Sequence, residues 1–156
     1  MSSVGVDLAE AVTAWLNDVD NAPDGGWVQS FEAERTAAQL SLAELESLNN
    51  LRVLVFSGPV RAERVGRKGQ PFKKTYKTTV AVHRRLDHGT YAANLELADQ
   101  LVELTEQIET QLEDADFDDL SFVAFNEEQY NDAYSADVMQ TANLFVHAVT
   151  LEHTTG

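Results

Sequence analysis

Between Asn94 and Leu112 the residues Leu97, Leu101, Leu104, Ile108 and Leu112 follow one another at steps of four, three, four and four. That spacing puts all five on one side of an α-helix. A helix with a single apolar stripe must bury it against another element, and in a chain of this size the natural partner is a sheet. Glu96, Asp99, Glu103, Glu106, Glu109 and Glu113 take the remaining faces, so the outer surface of this helix is expected to be very acidic.

The sheet is announced by a hairpin pattern. Leu51 to Val60 reads as one strand and Tyr76 to Arg85 as its partner, with Val53, Val55, Val80 and Val82 marking one apolar face. A first helix is predicted from Val6 to Val19, where Leu8, Ala11, Val12, Trp15, Leu16 and Val19 form an amphipathic stripe. Asn21, Pro23, Gly25 and Gly26 end it, because proline lacks a backbone donor and glycine accepts turn dihedrals. Trp27 to Arg35 alternates loosely and predicts a strand. Ser41 and Glu44 stand in capping-box relation and predict a short helix from Leu42 to Leu48. Beyond the acidic turn Glu113 to Asp119, Leu120 to Phe125 reads as a strand, Ser135 to Met139 as a short helical turn, and Leu144 to Leu151 as a final strand partly covered on both faces. These elements predict an α+β fold in one domain spanning residues 1–156. Its core is a single mixed or antiparallel sheet of about four to five strands, flanked by two main helices and carrying a long basic hairpin arm.

Charge divides the chain sharply. Residues Arg52 to Arg85 hold ten of the eleven lysines and arginines and only one of the 26 acids, Glu63. The remainder, with a single basic residue, is strongly negative, and the whole chain carries −15 at neutral pH. Two such surfaces let one copy dock its positive side on the negative side of the next, so head-to-tail self-assembly is the first expectation. The net charge opposes general affinity for nucleic acid, since phosphates are repelled by most of the surface.

At 156 residues and 44% hydrophobic content the chain can bury a real core. It has no cysteine, hence no disulfide framework, thiol nucleophile or thiolate metal site. No apolar run approaches the roughly 20 residues that cross a bilayer, and the start MSSVGVDLAEAV lacks a signal-like stretch, so a soluble protein that stays where it is made is expected.

Motifs that would carry chemistry fail on spacing. Asp114, Asp116 and Asp118 open like a calcium loop, but Asp119 stands where glycine is needed and Phe125 where a bidentate glutamate belongs. The histidines, His83, His88, His147 and His153, lack the close helical pairing of zinc hydrolases. Gly66 and Gly69 in VGRKGQ do not have the spacing of a phosphate-binding loop, and no serine lies in a nucleophile elbow. No catalytic, cofactor-binding or metal-binding residue is assigned, and no enzymatic activity is expected.

The stretch Arg61 to Lys74 (RAERVGRKGQPFKK) is too long and too charged for a tight turn, and loops of that length in compact domains are usually functional or disordered. Three readings are open for it: a solvated tip, a contact to nucleic-acid phosphates with Phe72 and Tyr76 as stacking groups, or docking onto an acidic protein surface. Arg61, Arg64, Arg67, Lys68, Lys73 and Lys74 are its candidate interface residues. The complementary candidates are Glu103, Glu106, Glu109, Glu113, Asp114, Asp116, Asp118 and Asp119.

The layout resembles the tail terminator (tail completion, head-tail joining) proteins of long-tailed bacteriophages. The resemblance runs through the first helix, FEAER, LRVLVF, the basic hairpin into TYKTTVAVHRRLD, the helix LADQLVELTEQIETQL and the closing SADVMQTANLFVHAVTLEH. It covers nearly the whole chain and is one of pattern and order. It implies a small α/β domain with a mixed sheet that forms a six-membered ring on the head-proximal end of the tail tube, ends tube polymerisation and offers a docking surface to the neck. The implied partners are other copies of the chain, the tail tube protein and a neck or head completion protein. DNA would pass transiently through a lumen lined by some of the acids above. The implied place is the tail-neck junction of the virion, after assembly in the host cytoplasm. Rival readings are another neck component, a head completion or adaptor protein, or a small regulator that binds nucleic acid through the arm.

Overall fold

A computed structural model describes residues 4–37, 50–58, 61–64, 72–86, 90–117, 120–126 and 144–155. Two helices, α1 (Val4–Asn17) and α2 (Tyr91–Glu113), accompany strands β1 (Ala33–Arg35), β2 (Arg52–Ser57), β3 (Arg61–Arg64), β4 (Phe72–Arg85), β5 (Leu120–Asn126) and β6 (Leu144–Thr155). The fold is α+β. The predicted helices at 42–48 and 135–139 lie outside the described residues.

The sheet runs in the order β1-β2-β4-β6-β5. β1 is parallel to β2, and every other pairing is antiparallel, so the sheet is mixed. β2 takes Thr78 to His83 of β4 and β3 takes Phe72 to Thr75 on the same side, so six strands fill five places. β4 and β6 share eleven paired positions, from Thr75↔Thr154 to Arg85↔Leu144, and form the spine.

One sheet face packs on both helices. Val53 and Val55 of β2, Val80 and Val82 of β4, and Val149 and Leu151 of β6 join Leu8, Val12 and Leu16 of α1 and the five predicted core residues of α2 in one cluster. Register explains this: Val53↔Val82, Val55↔Val80 and Val80↔Val149 are directly paired, and paired residues point to the same face. The opposite face is withdrawn from solvent too. Leu54, Ala81, His83, Ala148 and Thr150 are buried there, and the hydroxyls of Thr79 and Thr150 share a 3.0 Å hydrogen bond across the ladder.

The start of the chain departs from the sequence pattern in two places. α1 stops at Asn17, and Val19, predicted to extend its buried stripe, is 81% exposed in a 3-10 turn. Asp18 caps that turn by accepting from the amide of Asp20 at 3.0 Å, which ends the α-helical ladder one residue before Val19. Of the strand predicted over Trp27 to Arg35, only Ala33–Arg35 pairs. Residues ahead of it are tied to α2 instead: Val28 donates its amide to Gln107 Oε1 at 2.9 Å, and Gln111 Nε2 donates to the Asn21 carbonyl at 2.9 Å. Gln29 bonds to Gln100, and Trp27 and Phe31 meet edge to face at 5.1 Å. The turn into this strap bonds Gly26 N–H to the Pro23 carbonyl at 2.8 Å with Gly25 at φ +86°, a left-handed value that glycine supplies without strain. On the free edge of β1, Asn17 behaves as a neighbouring strand would. Its amide donates to the Ala33 carbonyl at 3.0 Å and its carbonyl accepts from the Ala33 amide at 2.7 Å.

Candidate interaction surface

The basic segment is built on the β3–β4 hairpin. Arg61 stands opposite Thr75, Ala62 opposite Lys74, Glu63 opposite Lys73 and Arg64 opposite Phe72. The ladder thus continues into a segment predicted as an irregular loop, and four of the six candidate cations, Arg61, Arg64, Lys73 and Lys74, lie on paired strands. The only acid of the segment falls opposite Lys73. Pairing of β4 with β6 ends at Thr75, so from Lys74 to Phe72 β4 has β3 as its one described neighbour, and the hairpin projects past the sheet. Lys74 is exposed. Arg67 and Lys68 lie outside the described residues. Lys77, one turn of the pleat inward, meets Glu152 across the ladder at 3.7 Å.

On α2 the side chains sort into four bands. Leu97, Leu101, Leu104, Ile108 and Leu112 face the core. Gln100, Gln107 and Gln111 face the α1–β1 strap through the bonds given above. Glu96, Asp99, Glu103 and Glu106 form an exposed acidic band. The fourth band is apolar and open to solvent: Tyr91 is 83% exposed, Leu95 49% and Val102 46%. These three, with Ala98, step by four, three and four, the same period as the core stripe. Sequence reasoning passed over them because the longer leucine series accounts for the helix by itself.

The remaining acid candidates divide. Glu113, Asp114 and Asp116 are exposed in and after the last turn of α2. Glu109 is half-buried and reaches His147 Nε2 of β6 at 3.4 Å, so it belongs to the contact between helix and sheet. Asp118 and Asp119 lie outside the described residues.

The buried face of the sheet opposite the helices holds one group far from its ordinary state. His83 is fully buried, and desolvation, followed by the positive charge of Arg52, lowers its pKa to about 4. Arg52 is the residue paired with His83 across the ladder, and it is engaged by Glu34 at 2.7 Å. His153, packed edge to face on Phe117, is lowered by burial as well. Among the described residues no group of three or more His, Asp or Glu side chains could hold a metal ion. A pocket of ≈ 530 Å³ lies beside the end of α1, between Leu16, Trp27 and Phe31, and collects no convergent ionisable groups beyond Asp18.

The chain matches no protein-family model, and no curated protein is significantly similar to it. No helix among the described residues is long and apolar enough to cross a membrane. Among the described residues, the basic segment pairs as the β3–β4 hairpin and α2 carries an acidic band bordered by exposed apolar side chains.

Proposed function

We propose that this protein is a structural component of a phage tail that assembles head to tail into a ring, hexameric by its resemblance to tail terminators, and caps the head-proximal end of the tail tube. The observation that carries this reading is the separation of charge along one chain, between the basic segment that pairs as the β3–β4 hairpin and the exposed acidic band of α2. Heterologous contacts between unlike patches generate rings when the rotation closes. A mixed sheet backed by two helices supports a terminator over other neck components, which tend to be mostly helical or small β-barrels. The ring would stop tube growth by covering the last layer of tube protein and would offer its other side to the neck. Exposed acids such as Glu113, Asp114 and Asp116 would give the channel a negative lining along which DNA slides without adhering.

The reading has a direct functional test. Added to polymerising tail tube protein, the purified chain is expected to hold tubes short and leave one end of each unable to accept further subunits. Tubes that grow to the same length with and without it would contradict the proposal.

A further inference from the structure

The exposed apolar line of α2 has an acidic band along one side and the core stripe along the other, so whatever covers it must offer both apolar groups and positive charge. Six of the chain's eleven basic residues, Arg61, Arg64, Arg67, Lys68, Lys73 and Lys74, lie in the hairpin segment, which also carries Val65 and Phe72. We infer that Tyr91, Leu95 and Val102 of α2, with Asp99 and Glu103 beside them, form the docking surface for the basic β3–β4 hairpin of a second copy. This inference rests on the head-to-tail reading and assigns it a contact.

Geometry excludes the hairpin of the same molecule. Two contacts give the direction in which α2 runs over the sheet: Glu109 of α2 meets His147, which is paired with Val82, and Phe117, four residues past its end, meets His153, which is paired with Tyr76. Moving toward the N-terminus of α2 is thus moving toward the C-terminal end of β4, away from the hairpin at its start. From Lys73 to the level of Val82 is about 30 Å at roughly 3.3 Å per strand residue. From Glu109 back to Leu95 adds about 20 Å at roughly 1.5 Å per helical residue. The seven residues between Arg64 and Phe72 are too few to bring their charges back over that span. The hairpin cations and the acceptor surface sit at opposite ends of β4, which is the arrangement of a heterologous contact and not of a two-fold one.

The test is a charge exchange followed by sedimentation velocity, with circular dichroism melts to verify that each variant is folded. One variant carries Asp99→Lys, Glu103→Lys and Glu106→Lys, and the other carries Arg64→Glu, Arg67→Glu and Lys68→Glu. Each alone is expected to associate at least about tenfold more weakly than the parent chain, and an equimolar mixture to recover the parent's assembly, because the reversed hairpin of one now meets the reversed helix of the other. Replacing Leu95 and Val102 by serine should weaken association without changing net charge. If the helix variant assembles like the parent while the hairpin variant does not, the ring reading survives and this docking surface is wrong. Failure of the mixture to recover assembly also overturns the surface. If the parent chain associates neither alone nor on tail tubes, both fall together.

Discussion

His83 is held neutral by its surroundings, and that has a measurable consequence. Its imidazole is buried beside the Arg52 guanidinium, and its pKa falls from 6.5 to about 4. Unfolded, the same side chain takes up a proton near pH 6.5, so acid favours the unfolded chain. The stabilisation is complete above pH 6.5, declines as pH falls toward 4, and is lost below that. A gap of this size corresponds to roughly 3 kcal/mol. Urea unfolding at pH 7 and at pH 4.5 should show that decline, and His83→Gln should flatten it; a variant with the parent's pH dependence would show that another group is responsible. His153 contributes in the same direction. Neither histidine was legible as a titrating group in the sequence. The alternation of Val80 and Val82 identifies one buried face of β4, and only the structure shows that the other face, carrying Ala81 and His83, is buried as well.

At the scale of elements, α2 separates two functions that the same residue type can serve. Leu104 is fully buried in the core, so Leu104→Ala should cost roughly 2–5 kcal/mol in urea unfolding through lost burial and a cavity. Leu95, about half exposed on the neighbouring band, should cost well under about 1 kcal/mol when changed to alanine, yet reduce self-association. Equal destabilisation at the two sites would mean that the outer band is not a free surface. Long elements with a strict period, α2 and the β4 hairpin among them, were readable because their own residues decide their burial. The strap over Trp27 to Glu32 was not, since Gln107, about 80 residues away, bonds the Val28 amide and the neighbouring Gly26 carbonyl, and no local pattern reports that competition. The cationic composition of Arg61 to Lys74 is plain in the sequence. The pairing of Arg61 to Arg64 as a strand was hidden, because the run Arg-Ala-Glu-Arg carries no apolar alternation.

For the whole molecule, the decisive feature is polarity along β4. The cationic hairpin lies at its start, and the exposed apolar and acidic bands of α2 lie beyond its end, so in the proposed head-to-tail assembly unlike surfaces would meet at every junction. A salt-sensitive encounter followed by apolar contact is the expected mode of growth, with closure set by the angle between successive copies. The most direct test of the account is the mass of the purified protein, alone and mixed with tail tubes, by light scattering with electron microscopy of negatively stained samples. A closed six-membered ring, or density capping one end of each tube, is the expected result. A monomer that ignores tubes and instead binds DNA in a steeply salt-dependent way would contradict it and assign the hairpin to phosphate contacts.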